Sequence, residues 1–134
     1  MSNKSTGNAF EREFCEMLHS NGFWAHNMAA NVYGQPADVI AVKNKTSYLI
    51  DCKVCSGRGF ALSRIEDNQR FSMLLWQECG NGTGLFAMQL PNKQVVMMSL
   101  YVLTALEKVG KTFITNEEIW DMGIPLEEWV RKCK

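Results

Sequence analysis

The sequence predicts an α/β fold, and three observations carry that prediction. Phe10, Phe14, Met17 and Leu18 recur at the spacing of one helix face. The stretch "VIAVKNKTSYLI" places two apolar runs about a short polar turn. Two further strand-like runs, "TGLFAMQL" and "QVVMM", lie between segments that carry helix start and stop signals. With 134 residues and 46% hydrophobic composition, the chain can bury one sizeable core, which predicts a single domain over 1–134.

Taken in order, the elements begin with a helix from about Asn8 to Ser20, stopped by Asn21 and Gly22. Phe23 to Asn27 reads as a short strand, and "NMAANVYGQP" as the loop after it. A hairpin follows, with Val39–Val42 and Tyr48–Ile50 around Asn44 and Lys45. "CSGRGFAL" reads as another loop, and "SRIE" as the start of a second helix, with Ser63 as cap and Glu66 completing a capping box. Gly80 ends that helix. The next two strands turn through Pro91, Asn92 and Lys93, and "SLYVLTALEKVG" predicts a third helix. From Lys111 to Lys134 the expectation is a short extended piece, then one or two helical turns around Pro125.

The hairpin raises a chemical question. With Asn44 and Lys45 at the centre of the turn, opposed residue numbers sum to 89, so Asp38 faces Asp51. Directly opposed residues have Cβ atoms roughly 4.5–5.5 Å apart, where like charges repel. Alternation turns Asp51 and Lys53 to one face, and Ile50 and Cys52 to the other. Two carboxylates and an ammonium therefore converge. A hard divalent cation with oxygen ligands accounts for the carboxylate pair, and a neighbouring lysine suits metal-assisted hydrolysis. A strand end with solvated charges and an ordinary Asp–Lys pair fits the same stretch.

Other motifs carry less. No apolar run approaches the roughly 18–20 residues of a transmembrane helix, and "MSNKSTGNAF" lacks a signal-peptide core, so the expectation is an intracellular, cytoplasmic protein without a membrane partner. The five cysteines are then expected to be reduced. Cys52 and Cys55 form a CxxC, but no second pair completes a zinc site. His19 and His26 match no metal or triad spacing. The glycines of "CGNGTGLF" lead into a strand and lack the Lys-Ser or Lys-Thr of a phosphate loop. Met73, Met88, Met97 and Met98 read as core fillers. With 14 basic and 14 acidic residues the net charge does not advertise a nucleic-acid binder. The middle third is more basic, with Lys43, Lys45, Lys53, Arg58, Arg64 and Arg70 against Asp51, Glu66 and Asp67, and could meet phosphates.

The order of helix, strand, acid-bearing hairpin, helix and strand, with Asp38 ahead of Asp51-Cys52-Lys53, resembles the PD-(D/E)xK nuclease superfamily. Pro36-Ala37-Asp38 departs from the eponymous Pro-Asp by one inserted residue. "GNAFEREF" looks like the Gly-x-x-x-Glu-Arg-Glu opening of archaeal-type Holliday junction resolvases, which puts Glu11 on that family's helix carboxylate. The segment from Gly59 to Leu90 is similar to Gram-positive and phage resolvases, where a glutamine on the second helix recurs, here Gln69. "LEKVGKTFITNEEIWDMG" looks like the same group. Two departures stand out. Relatives often carry a basic or hydroxyl residue in the loop before the hairpin, where "AHNMAANVYGQPAD" offers only His26, asparagines and Tyr33, and Gly34 to Lys53 has no room for the junction-penetrating insertion of Gram-positive resolvases.

The resemblance implies a restriction-endonuclease-like αβββαβ core, its mixed sheet flanked by helices, with an extra C-terminal helical segment. It implies a Mg²⁺- or Mn²⁺-dependent endonuclease of phage or bacterial type acting on branched DNA, with four-way junctions as the expected substrate. Asp38, Asp51, the carbonyl of Cys52 and Glu11 would hold the metal, and Lys53 would serve the attacking water or the transition state. Gln69 would support them, while Lys43, Lys45, Arg58, Arg64 and Arg70 would contact DNA phosphates. Another nuclease of the superfamily, replication-associated or restriction-type, and a non-catalytic DNA-binding module of the same fold are the alternatives. Periodicity adds independent weight to Glu11, which lies beside Cys15 and Leu18 on the flank of the apolar stripe. A homodimer is expected, because Tyr101, Leu103, Leu106, Trp120 and Trp129 exceed the needs of a minimal core.

Overall fold

The computed structural model describes residues 3–28 and 36–133. Most of the loop expected at "NMAANVYGQP", with Tyr33, lies outside the described residues. Helix α1 spans Asn3–Ser20, beginning five residues before the expected start because its first turns are polar and carry no apolar period. It buries Phe10, Phe14, Cys15 and Leu18. Its end is a Schellman motif: Gly22 takes φ +84°, its N–H donates to His19 O, and Phe23 N–H donates to Leu18 O at 3.0 Å.

Strands β1 (Trp24–Asn27), β2 (Val39–Lys43) and β3 (Thr46–Val54) form an antiparallel meander. The hairpin has the expected register, with Val39 opposite Ile50 and Lys43 opposite Thr46. Asn44 and Lys45 both take positive φ, 49° and 68°, as a type I′ turn requires. Here the structure departs from the loop expected after Lys53. Strand β3 runs on to Val54, and Gly59–Ala61 forms a strand, β4. Ser63 is not a helix cap either. It sits in a 3-10 turn, Leu62–Arg64, and helix α2 (Asp67–Glu78) starts only after Glu66 and Gln69 form its capping box. Ile65 explains the break, being buried and extended at φ −79°, ψ 111°.

Strands β5 (Leu85–Gln89) and β6 (Val95–Ser99) follow, then α3 (Leu100–Lys108), capped by the Ser99 side chain accepting from Val102 N–H. The tail is richer than expected, with β7 (Phe113–Thr115), α4 (Asn116–Met122), β8 (Ile124–Pro125) and α5 (Leu126–Lys132). The larger sheet has strand order β1-β2-β3-β5-β6-β8, parallel between β3 and β5 and otherwise antiparallel, while β4 and β7 pair separately.

Two apolar layers sandwich the larger sheet. Phe10, Phe14, Leu18, Phe23, Trp129 and Val130 cover one face with Ala41, Ile50 and Ala87. Met73, Leu103 and Ile119 cover the other with Leu49, Phe86 and Met88. Each fully buried Phe or Leu is worth about 1.5–3 kcal/mol of transfer free energy. The four methionines singled out by sequence are all buried. Leu103 and Trp129 belong to these cores, Leu106 is partly buried, and only Tyr101 and Trp120 of the expected surplus are exposed. All five cysteines are free. Among the described residues, no helix is long and apolar enough to cross a membrane.

Candidate active site

Strand β3 lies between β2 and β5, so Asp51 is set in the middle of the sheet and is buried. Asp38 precedes β2 and is buried too, anchored by its Oδ2, which accepts from Cys52 N–H at 2.8 Å. That bond ties the start of β2 to the strand carrying Asp51 and Lys53. The two carboxylates interact directly: burial, then the charge of Asp38, hold the Asp51 carboxyl well above its ordinary range, while Lys53 pulls the other way.

Lys53 is held from three sides. Its Nζ lies 3.0 Å from Asp51 Oδ2, donates to Gln69 Oε1 at 3.3 Å and to Arg64 O at 3.2 Å. Gln69, buried at the start of α2, donates from Nε2 to Asp51 Oδ1 at 3.0 Å and accepts at Oε1 from Glu66 N–H at 3.3 Å. One side chain therefore caps a helix and orients both strand residues. The Lys53 contact does not satisfy Asp51 Oδ2 directionally, and this buried oxygen has no hydrogen-bond partner.

Glu11 approaches from α1. Its carboxyl is raised by burial first, then by the charge of Asp38 and a hydrogen bond with it, while a bond from Asn27 opposes the shift. Asp38 is thus shared between Glu11 and Asp51. Asn27 was not anticipated as a site residue. The register pairing it with Val39, one residue from Asp38, is the signal that would have found it. Cys52 points into the α1 layer, and burial followed by the surrounding carboxylates drives its thiol pKa up, so it is a packed neutral thiol whose side chain suits no hard cation.

Glu11, Asp38, Asp51, Cys52, Lys53 and Gln69 line a pocket of about 640 Å³, together with Gly7, Arg64, Glu66, Asn68 and the β3–β4 connection. The expected DNA contacts divide. Arg64 lines the pocket, its Nη1 donating to Val54 O at 2.9 Å and its guanidinium over the Phe60 ring. Arg58 is exposed on the turn before β4. Arg70 is not a free contact: it pairs with Glu107 at 2.9 Å and donates to Thr104, bracing α2 against α3. Lys43 and Lys45 sit at the far end of the hairpin, roughly 17 Å along β2 from Asp38. Lys43 is engaged there with Asn21 O and the Phe23 ring.

Among the described residues no three His, Cys, Asp or Glu side chains form a ready metal cage. Mg²⁺ does not require one, since it commonly binds through one or two carboxylates and keeps several waters. A buried carboxylate oxygen without a hydrogen bond, beside a second buried carboxylate, fits such a cation.

A sequence model of the archaeal Holliday junction resolvase (Hjc) family matches residues 2–134. No curated protein matches. Among solved structures, Hjc of Archaeoglobus fulgidus, a Holliday junction resolvase from an archaeal hyperthermophile, superimposes with a TM-score of 0.71 at 21% identity, covering 92% of this chain and 99% of that one.

Proposed function

The chain belongs to the archaeal Holliday junction resolvase family, and from that premise we infer that it cleaves branched DNA, resolving four-way junctions by phosphodiester hydrolysis at the Asp38–Asp51–Lys53 site. The observation that carries the site assignment is the pairing of two buried carboxylates beside an anchored ammonium. Asp38, Asp51 and the backbone carbonyl of Cys52 would hold Mg²⁺ or Mn²⁺, with Glu11 adding an acidic ligand directly or through water. The cation would supply a bound water of lowered pKa and charge stabilisation at the scissile phosphate.

The chain's own residues do the rest. Asp38 is positioned by Cys52 N–H, which ties it to the strand that carries Asp51. Lys53, anchored by Gln69 Oε1 and Arg64 O, holds its charge where an attacking water or the phosphorane-like transition state would sit. Gln69 orients Asp51, and Arg64 at the pocket wall is the arginine best placed to meet a phosphate. Retention of both acids and the lysine argues against a non-catalytic module of the same fold.

A homodimer completes the proposal, and α2 offers the surface for it. Phe71, Leu74 and Leu75 are 69%, 50% and 49% exposed and fall at i, i+3 and i+4, one unpartnered stripe. A gel assay with Mg²⁺ comparing four-way junction, fork and linear duplex tests the function. Preferential cleavage of the junction is expected. Equal cutting of all three, or cutting of the fork alone, would favour another nuclease of the superfamily.

A further inference from the structure

Strand β1 is an edge of the larger sheet, and its side chains alternate between faces. Ala25 enters the core beneath α1, which turns Trp24 and His26 to the opposite face. That is also the face of Leu49, hence of Asp51 and Lys53 on β3. Trp24 is 58% exposed, and its ring stacks on His26 with centroids 6.0 Å apart and planes 16° from parallel. The indole is thus more than half open to solvent while His26 lies nearly parallel to it.

The register fixes where this step lies. His26, Ile40 and Leu49 form one row across the sheet, and Trp24, Val42 and Ser47 the next. From strand spacing and rise, His26 is about 12 Å and Trp24 about 16 Å from Asp51. That is roughly three to five nucleotide steps of 3.4 Å along a stacked strand. Beyond Trp24 lies the hairpin turn with exposed Lys45, a cation suited to the phosphates of a strand continuing in that direction.

Resting on the reading of this chain as a branched-DNA nuclease, we propose that Trp24, backed by His26, is a stacking platform for an unpaired or unstacked base of the substrate. A continuous duplex offers no free base face at that distance, whereas a branch point does. The platform would therefore contribute to choosing branched over linear DNA, in a chain without the junction-penetrating insertion.

The test uses the full chain in chelator, so that binding is read without cleavage. Fluorescence anisotropy compares a four-way junction with a linear duplex, and a junction carrying 2-aminopurine at the branch reports stacking. Trp24→Ala is expected to weaken junction binding about fivefold to a hundredfold, more than duplex binding, and to lose the 2-aminopurine quenching that Trp24→Phe retains. Unchanged junction affinity in Trp24→Ala, or an equal loss on linear duplex, overturns the platform. A shift in its sedimentation would do so in favour of a contact between copies of the chain. Failure of the wild-type chain to bind the junction would overturn the nuclease reading as well, so the two failures are distinguishable.

Discussion

At the scale of residues, the site is a balance of buried charge. Asp38 and Asp51 repel, Lys53 offsets one of them, and Gln69 fixes the geometry of both Asp51 and Lys53. Asp38→Asn or Asp51→Asn is expected to abolish cleavage while leaving junction binding intact or tighter, because an amide cannot carry the negative charge that repels phosphates. Full cleavage by either variant would remove that residue from the site. A second readout needs no activity. Mg²⁺ should raise the wild-type Tm by binding the folded state and fail to raise that of Asp51→Asn, and equal shifts in both would move the cation elsewhere. Lys53→Ala is expected to slow single-turnover cleavage at saturating enzyme about 100- to 1,000-fold, because its interaction grows in the transition state. A loss confined to affinity would make it a positioning residue. The nearness of Asp38 to Asp51 was legible because a two-residue turn fixes the register of the strands that carry them. The role of Asn27 was not, since no short turn fixes the register of β1 on β2 that would reveal it, and its bond to Glu11 depends on how α1 packs beside β1.

Elements with a clear apolar run or a local turn signal were legible in the sequence, and short elements that owe their form to a distant partner were not. The β2–β3 hairpin and the Ser99 cap of α3 rest on residues close in the chain. Strand β4 does not: its partner β7 lies more than fifty residues on, and its three residues show no period of their own. The start of α2 was misplaced because Ser63-x-x-Glu66 matches a capping box, yet burying Leu62 and Ile65 forces a break that moves the cap to Glu66. In the tail, Thr115-x-x-Glu118 is a genuine box that sequence reasoning passed over. The β4–β7 pair matters for the site because it holds the segment between Lys53 and the Arg64 carbonyl that receives it. Gly59 makes the pairing possible. Its φ is +146°, and a Cβ there would meet Ile114 O at 2.1 Å. Gly59→Ala should therefore destabilise by more than about 1 kcal/mol, seen as a lower Tm. An unchanged Tm would mean that β4 and β7 do not pair in solution.

At the scale of the whole molecule, the described residues of one chain carry one such acidic site, whereas a four-way junction is resolved by two related cuts. A symmetric pair of chains would present one site to each of two opposed strands. Helix α2 is suited to join them. Gln69 at its start touches Asp51, while Phe71, Leu74 and Leu75 leave an apolar stripe on its surface. A stripe packed on its two-fold copy would tie the spacing of the two sites to a rigid helix, itself braced on α3 by Arg70 and Glu107. Aromatic and aliphatic side chains of this kind form the buried centres of interfaces, from which a charge is excluded. The wild-type chain is accordingly expected to sediment as a dimer, and Phe71→Glu with Leu75→Glu as a monomer of unchanged secondary structure. On a cruciform plasmid the dimer should linearise the DNA through two nicks made nearly together. The monomeric variant should accumulate nicked circles, because its two cuts become independent encounters. A wild-type chain that sediments as a monomer yet still linearises the plasmid would overturn the paired-site arrangement. A double variant that remains dimeric would move the interface away from α2, with exposed Tyr101 on α3 the next side chain to replace.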